Sequence, residues 1–136
     1  MIKVLKAWLR KNQLTPDQNN YTAQVSGSGS VGVEDIIDEM LKEGIELNRD
    51  TVLEVISRFN RTTADMVLSG NNVNTGLVYM RPIITGPFYD KTWNPEVNPV
   101  YVSITQGQDL RRAVAETTVE ILDEQADPLE TLSLTD

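Results

Sequence analysis

Two one-sided helical stripes joined by a tight turn occupy residues Val33 to Gly70, and nothing else in the chain restricts its fold as much. In the first, Val33, Ile36, Ile37, Met40 and Leu41 recur at the i, i+3, i+4, i+7, i+8 spacing that gathers apolar groups on one face of a helix. Gly44 is placed to end it as a left-handed C-terminal residue. In the second, Asn48 stands where a side chain can cap the first amides, and Val52, Val55, Ile56, Phe59, Met66 and Val67 form another stripe that closes at Gly70. Two such helices need a surface to cover their apolar faces. Most of the remaining chain reads as strand, so the expected partner is a sheet, shared in one version of this reading with a second copy of the chain.

The totals narrow the chemistry further. At 136 residues, one domain with its own core is the default. The absence of cysteine and histidine removes thiol nucleophiles, imidazole bases and the usual zinc ligands together, and no carboxylate, lysine or hydroxyl constellation of a catalytic site stands out. An enzyme, a metal site and a cofactor are therefore not expected; Glu34, Asp35, Asp38 and Glu39 read as acids complementing a helix N-terminus. No segment has the length or apolar character of a signal peptide core or a membrane span, and a cytoplasmic location is expected. The net charge of −8 is mostly a property of the C-terminal end, since residues 113–136 hold seven acids and no base while residues 1–112 are balanced to within one charge. Lys3, Lys6, Arg10 and Lys11 form a basic strip with no acid before Asp17. Such a body can meet a polyanion, but without the long-range attraction of a basic protein.

Taken in order, residues 1–30 read as a β-hairpin and connector: an apolar run with strand character, turn chemistry in Thr15-Pro16-Asp17-Gln18-Asn19-Asn20, an alternating Tyr21–Val25, and the Gly/Ser segment Ser26–Ser30. Residues 31–122 form the main domain. After Gly70, strands are expected from Val73 to Tyr79 and on through Arg81–Thr85, where Pro82 demands an edge or a bulge. Gly86–Pro99, GPFYDKTWNPEVNP, is too rich in proline for a central strand and suits a projecting hairpin tip. A return strand follows over Val100–Thr105, and a closing helix is expected over Asp109–Ile121 with Leu110, Val114 and Thr117 on one face. Residues 123–136 read as an acidic tail or linker.

This order of elements, with DIIDEMLKEG and NRDTVLEVISRFNRTTADMVLSG as the helical pair, Asn94-Pro95 at the arm tip and Gly107-Gln108-Asp109-Leu110-Arg111-Arg112-Ala113-Val114 entering the last helix, resembles the HU and integration host factor family. The N-terminal hairpin with LTPDQNNYTA is similar to a narrower group of HU-like proteins whose longer members continue into an immunoglobulin-like domain. The resemblance implies an α+β fold: a two-helix base, a sheet with a projecting β-arm, a C-terminal helix and the added hairpin. It also implies an intertwined homodimer whose arms wrap double-stranded DNA along the minor groove, bending it as a nucleoid-associated architectural protein, with a proline wedge at each tip. On that reading Pro95 is the wedge, Trp93 and Asn94 accompany it, and Arg81, Lys91, Arg111, Arg112, Lys3, Lys6, Arg10 and Lys11 meet phosphates. Ile37, Met40, Leu41, Val52, Val55, Ile56, Phe59 and Met66 then form the core and dimer interface.

The residues leave a second reading open. From Gly86 to Pro99 there is one base, Lys91, against Asp90 and Glu96, where arms of that family are rich in Arg and Lys, and of the family's glycine pattern at the root of the arm only Gly76 is present. Phe88, Tyr89 and Trp93 suit base stacking or a contact with protein equally. Pro95 can simply stiffen an exposed tip, Arg111 and Arg112 can be solvated charge, and the N-terminal lysines can guard a sheet edge. The alternative function is thus an HU-derived assembly module that contacts protein through its arm.

Overall fold

A computed structural model describes residues 3–11, 20–27 and 29–122. The turn expected over Thr15–Asn19 and the tail expected from Asp123 onward lie outside the described residues. The chain divides into two compact units, one formed by Ser30–Arg112 and the other by Met1–Gly29 together with Ala113–Asp136.

In the larger unit, α1 (Val33–Lys42) and α2 (Arg49–Leu68) stand where the stripes place them. Gly32 caps α1 through its amide, which donates to Asp35 Oδ2 at 2.8 Å, and Asn48 Oδ1 accepts from Thr51 N at 2.8 Å to cap α2. Gly44 and Gly70 end the helices at φ values of 96° and 104°, which only glycine adopts without strain. Arg49, unfavourably placed at the positive end of α2, is offset by an ion pair with Asp38 of α1. The core is narrower than the stripes. Ile37, Val52 and Val67 are buried, and Met40, Leu41 and Ile56 are half-buried. Val55, Phe59 and Met66, on the adjoining face of α2, remain 57%, 56% and 55% exposed.

The helices are followed by β3 (Val73–Asn74), β4 (Val78–Ile84) and β5 (Val100–Gln106), an antiparallel sheet in the order β3-β4-β5. Pro82 is tolerated in the middle strand because β3 pairs only with Tyr79 and Met80, so β4 is an edge from Arg81 onward. α3 (Gln108–Ala115) begins at a tight glycine junction: Gly107 N donates to Leu77 O at 2.8 Å, and Asp109 N donates to Gly76 O at 2.9 Å. A β-carbon on Gly107 would collide with the Gly76 carbonyl.

In the smaller unit, β1 (Lys3–Lys11) pairs antiparallel with β2 (Tyr21–Val25), as the hairpin reading requires. The expected helix over Asp109–Ile121 is corrected here. α3 stops at Ala115, and Thr117–Ile121 forms β6, which runs parallel to β1 with Lys3 opposite Thr117 and Ala7 opposite Ile121. Thr117, Thr118, Val119 and Ile121 are β-branched, which penalises a helix and suits a pleated surface. The strand order is β2-β1-β6, with β6 pairing along Lys3–Ala7 of β1 and β2 along Ala7–Lys11, so the two neighbours overlap only at Ala7.

Truncating Ile37, the fully buried residue of α1, to Ala should cost about 2 to 5 kcal/mol, measured as a shift in the urea unfolding midpoint. The same measurement on Val55→Ala should show a loss below about 1 kcal/mol in dilute solution, because its side chain is already more than half in water.

Candidate nucleic-acid interface

The register of β4 and β5 sorts the sheet of the larger unit into two faces. Val78, Met80, Val102 and Ile104 line a groove of about 440 Å3 with Phe59, Thr63, Ala64, Val67 and Leu68 of α2. Tyr79, Arg81 and Ile83, opposite Thr105, Ser103 and Tyr101, alternate onto the other face. Arg81 is exposed there, flanked along the strand by Tyr79 and Ile83. This face carries Arg81 and the aromatic rings of Tyr79 and Tyr101, and the groove lies on the apolar side of the sheet.

Beyond Ile84 the arm ends in a closed loop built on Asn98, a residue the sequence reading passed over. Asn98 is 1% exposed. Its carboxamide nitrogen donates to Thr85 O at 3.1 Å and to Pro87 O at 2.9 Å, and its Oδ1 accepts from Asn94 N at 3.3 Å. One side chain therefore joins the outgoing limb, the incoming limb and the apex. Such a buried amide is stable only because its polar atoms are partnered, and each partner is held in return. Gly86 makes the closure possible: it sits at φ 85°, and a β-carbon there would strike the Val97 carbonyl.

Asn94 and Pro95 have a local role in this loop. Asn94 O accepts from Val97 N at 3.0 Å and from Asn98 N at 2.6 Å, while Asn94 Oδ1 accepts from Glu96 N at 3.0 Å. That is the pattern of a capped single helical turn with Pro95 in its first position, where a fixed φ and a missing N–H cost nothing. Trp93 Nε1 donates to Asn98 O at 2.9 Å, which fixes the indole while leaving the side of the ring open, at 54% exposure. Tyr89 and Phe88 are also exposed nearby in the chain. Asp90 and Lys91 lie at φ 55° and 57°, a left-handed pair closed by Thr92 N donating to Tyr89 O at 3.2 Å. For residues other than glycine and asparagine this conformation is strained, so the loop holds Lys91 at its apex against local preference.

Of the remaining candidates, Arg111 and Arg112 are exposed in α3, and Arg112 Nη1 lies 3.8 Å from Asp109 Oδ1. Lys3, Lys6, Arg10 and Lys11 belong to the smaller unit, and they do not form one strip. Strand alternation puts Lys6 and Arg10 on one face of β1 with Trp8, and Lys3 and Lys11 on the other. Lys6 stands opposite Glu120, and Lys3 Nζ lies 3.9 Å from Glu116 Oε2. The structure thus brings Lys91, Trp93, Asn94 and Pro95 together in one rigid loop, pairs Arg111 with Arg112 on one short helix, and splits the N-terminal cations. Asn98 could have been suspected only from its place between two proline-bounded segments; its burial depends on carbonyls more than ten residues away.

Replacing Asn98 by Ala should open the loop, raising amide exchange at Val97 and Asn98 by at least about tenfold, since it orphans carbonyls and an amide that burial keeps from water. Lys91→Gly should act in the opposite direction and stabilise by about 0.5 to 1 kcal/mol in thermal unfolding, by relieving the left-handed backbone.

Comparison with known proteins agrees with this architecture. No protein of curated function matches the chain at a significant level. Among solved structures, the chain is similar to that of a Bacteroides vulgatus protein assigned as a bacterial DNA-binding protein, with 31% sequence identity and a TM-score of 0.76. The match covers 92% of this chain and 51% of the other, so the chain spans about half the length of that relative. The profile of HU-DNA_bdg, a DNA-binding domain, matches residues 4–123, from the first strand through the last. The chain belongs to the HU-DNA_bdg family of DNA-binding domains.

Proposed function

We propose that the chain is a DNA-binding domain of the cytoplasm that acts as a homodimer and binds and bends double-stranded DNA with little sequence preference. The observation that carries this reading is the family match over nearly the whole chain, together with an exposed Arg81 on the face of the sheet opposite the groove shared with α2. In this reading Arg81, Arg111 and Arg112 meet phosphates, Lys91 does so from the apex of the arm, and the segment Trp93-Asn94-Pro95 is the part of the arm that lies against the DNA. Lys3, Lys6, Arg10 and Lys11 add phosphate contacts from the smaller unit. The homodimer is supported by the apolar residues that α2 leaves in water. Val55, Phe59 and Met66 stay more than half exposed on one face of α2, Phe59 shares a groove with Leu77 and Ile104, and a second copy would cover this apolar surface.

One observation favours a second reading, the protein-assembly module. The loop between Gly86 and Pro99 carries Asp90 and Glu96 against Lys91, while its aromatic side chains are exposed. Contacts between proteins tolerate that composition better than phosphate contacts do.

The two are separated by fluorescence anisotropy of a labelled duplex across a salt series. The DNA reading requires binding in the range of about 10⁻⁴ to 10⁻⁶ M that weakens steeply with salt. Arg111→Glu with Arg112→Glu should lower the affinity further and flatten the salt dependence, because fewer counterions are then released. No binding at low salt, with oligomers that depend on the arm, would establish the assembly reading instead.

A further inference from the structure

We infer that the arm takes a nucleobase by stacking on Trp93, and that Pro95 shapes the loop without entering the DNA. This inference rests on the DNA-binding reading above and assigns the base-contacting role within it. Three observations carry it. Pro95 is the first residue of the turn that Asn94 caps, a position that its fixed φ and missing N–H suit, so the geometry of the loop itself accounts for the proline. Trp93, by contrast, is anchored at the edge of the indole, Nε1 donating to Asn98 O at 2.9 Å, and is 54% exposed, so its orientation is held while the ring remains within reach of a base. The residue that holds it, Asn98, is itself buried and clamped to the outgoing limb of the arm through the Thr85 and Pro87 carbonyls. Loss of side-chain freedom has thus been met on folding and does not oppose binding.

The charge of the loop leads to the same assignment. With Lys91 its only base against Asp90 and Glu96, this loop draws little affinity from counterion release. Stacking on an aromatic face needs no cation and is indifferent to base identity, because every base has a π-face. The ligand of the loop is therefore a base whose face is accessible, and the contact is apolar and largely independent of salt. Apart from the one that Lys91 makes, the phosphate contacts lie outside the loop, on Arg81, the α3 arginines and the cations of the smaller unit.

The test uses the full chain carrying Trp8→Phe, which leaves Trp93 as the only tryptophan. The probe is a short fluorescein-labelled duplex with one unpaired adenine, and binding is followed by anisotropy while Trp93 emission is recorded in parallel with the unlabelled duplex. Saturating DNA should quench Trp93 emission. Trp93→Ala should weaken binding about tenfold, whereas Trp93→Phe and Pro95→Ala should each stay within about threefold of the parent. Binding without any change in Trp93 emission overturns the inference and leaves the DNA-binding reading standing, as does a tenfold loss in Pro95→Ala that Trp93→Ala fails to reproduce. Absence of binding by every variant, the parent included, overturns both. The emission measurement needs no change in the loop, so it decides the question even if a loop variant fails to fold.

Discussion

α2 carries apolar residues over more of its circumference than the rest of its own unit can cover, and this surplus governs the architecture. Val52, Ile56 and Val67 turn inward toward α1 and the sheet, while Val55, Phe59 and Met66 follow an adjoining path and stay in water. Burial of such groups is the dominant favourable contribution to folding and to association, so a helix with two apolar paths is a helix with two packing partners. One is present within the chain. The other is the second copy in the proposed homodimer, and the apolar groove beside Phe59 and Ile104 has the composition of such a contact.

The arm follows a different economy, in which polar groups do the organising. A loop containing three prolines and no regular pairing cannot satisfy its backbone by a strand ladder. Asn98 supplies the missing partners from a single buried carboxamide, and Gly86 gives the backbone room to close around it. The product is a rigid tip that displays aromatic side chains and one lysine. Rigidity matters for function because a contact made by a preformed loop does not have to offset the entropy of ordering it. Charge has a small part in this loop, where Lys91 is the one base against Asp90 and Glu96.

The smaller unit ties the two ends of the chain to each other. β6 enters parallel to β1, and Leu122 N donates to Ala7 O at 2.8 Å beyond the last strand pair. Parallel pairing requires the two segments to be brought together from opposite ends of the sequence, which makes this sheet the least local feature of the fold. The family profile spans the same two ends, from residue 4 to residue 123, so the terminal strands belong to the domain.

Local periodicity and local turn chemistry were readable without coordinates. The two helices, the Asn48 cap, the glycines that end each helix, the hairpin of β1 and β2, and the edge character required by Pro82 all depend on residues within a few positions of one another. The order of those elements was also enough to suggest the family. What the tertiary structure decided depends on distant partners. Over Thr117–Ile121 the shared helical face of Leu110, Val114 and Thr117 favours helix, but pairing with β1, more than a hundred residues away, makes the segment a strand. The N-terminal cations read as one strip because they are close in sequence, and strand alternation divides them between two faces. Asn98 carried no signal of its own, since an asparagine among prolines normally marks a solvated turn; only the convergence of the Thr85 and Pro87 carbonyls makes it the centre of the arm. Periodicity reports which face of an element is apolar, and only folding reports what meets that face.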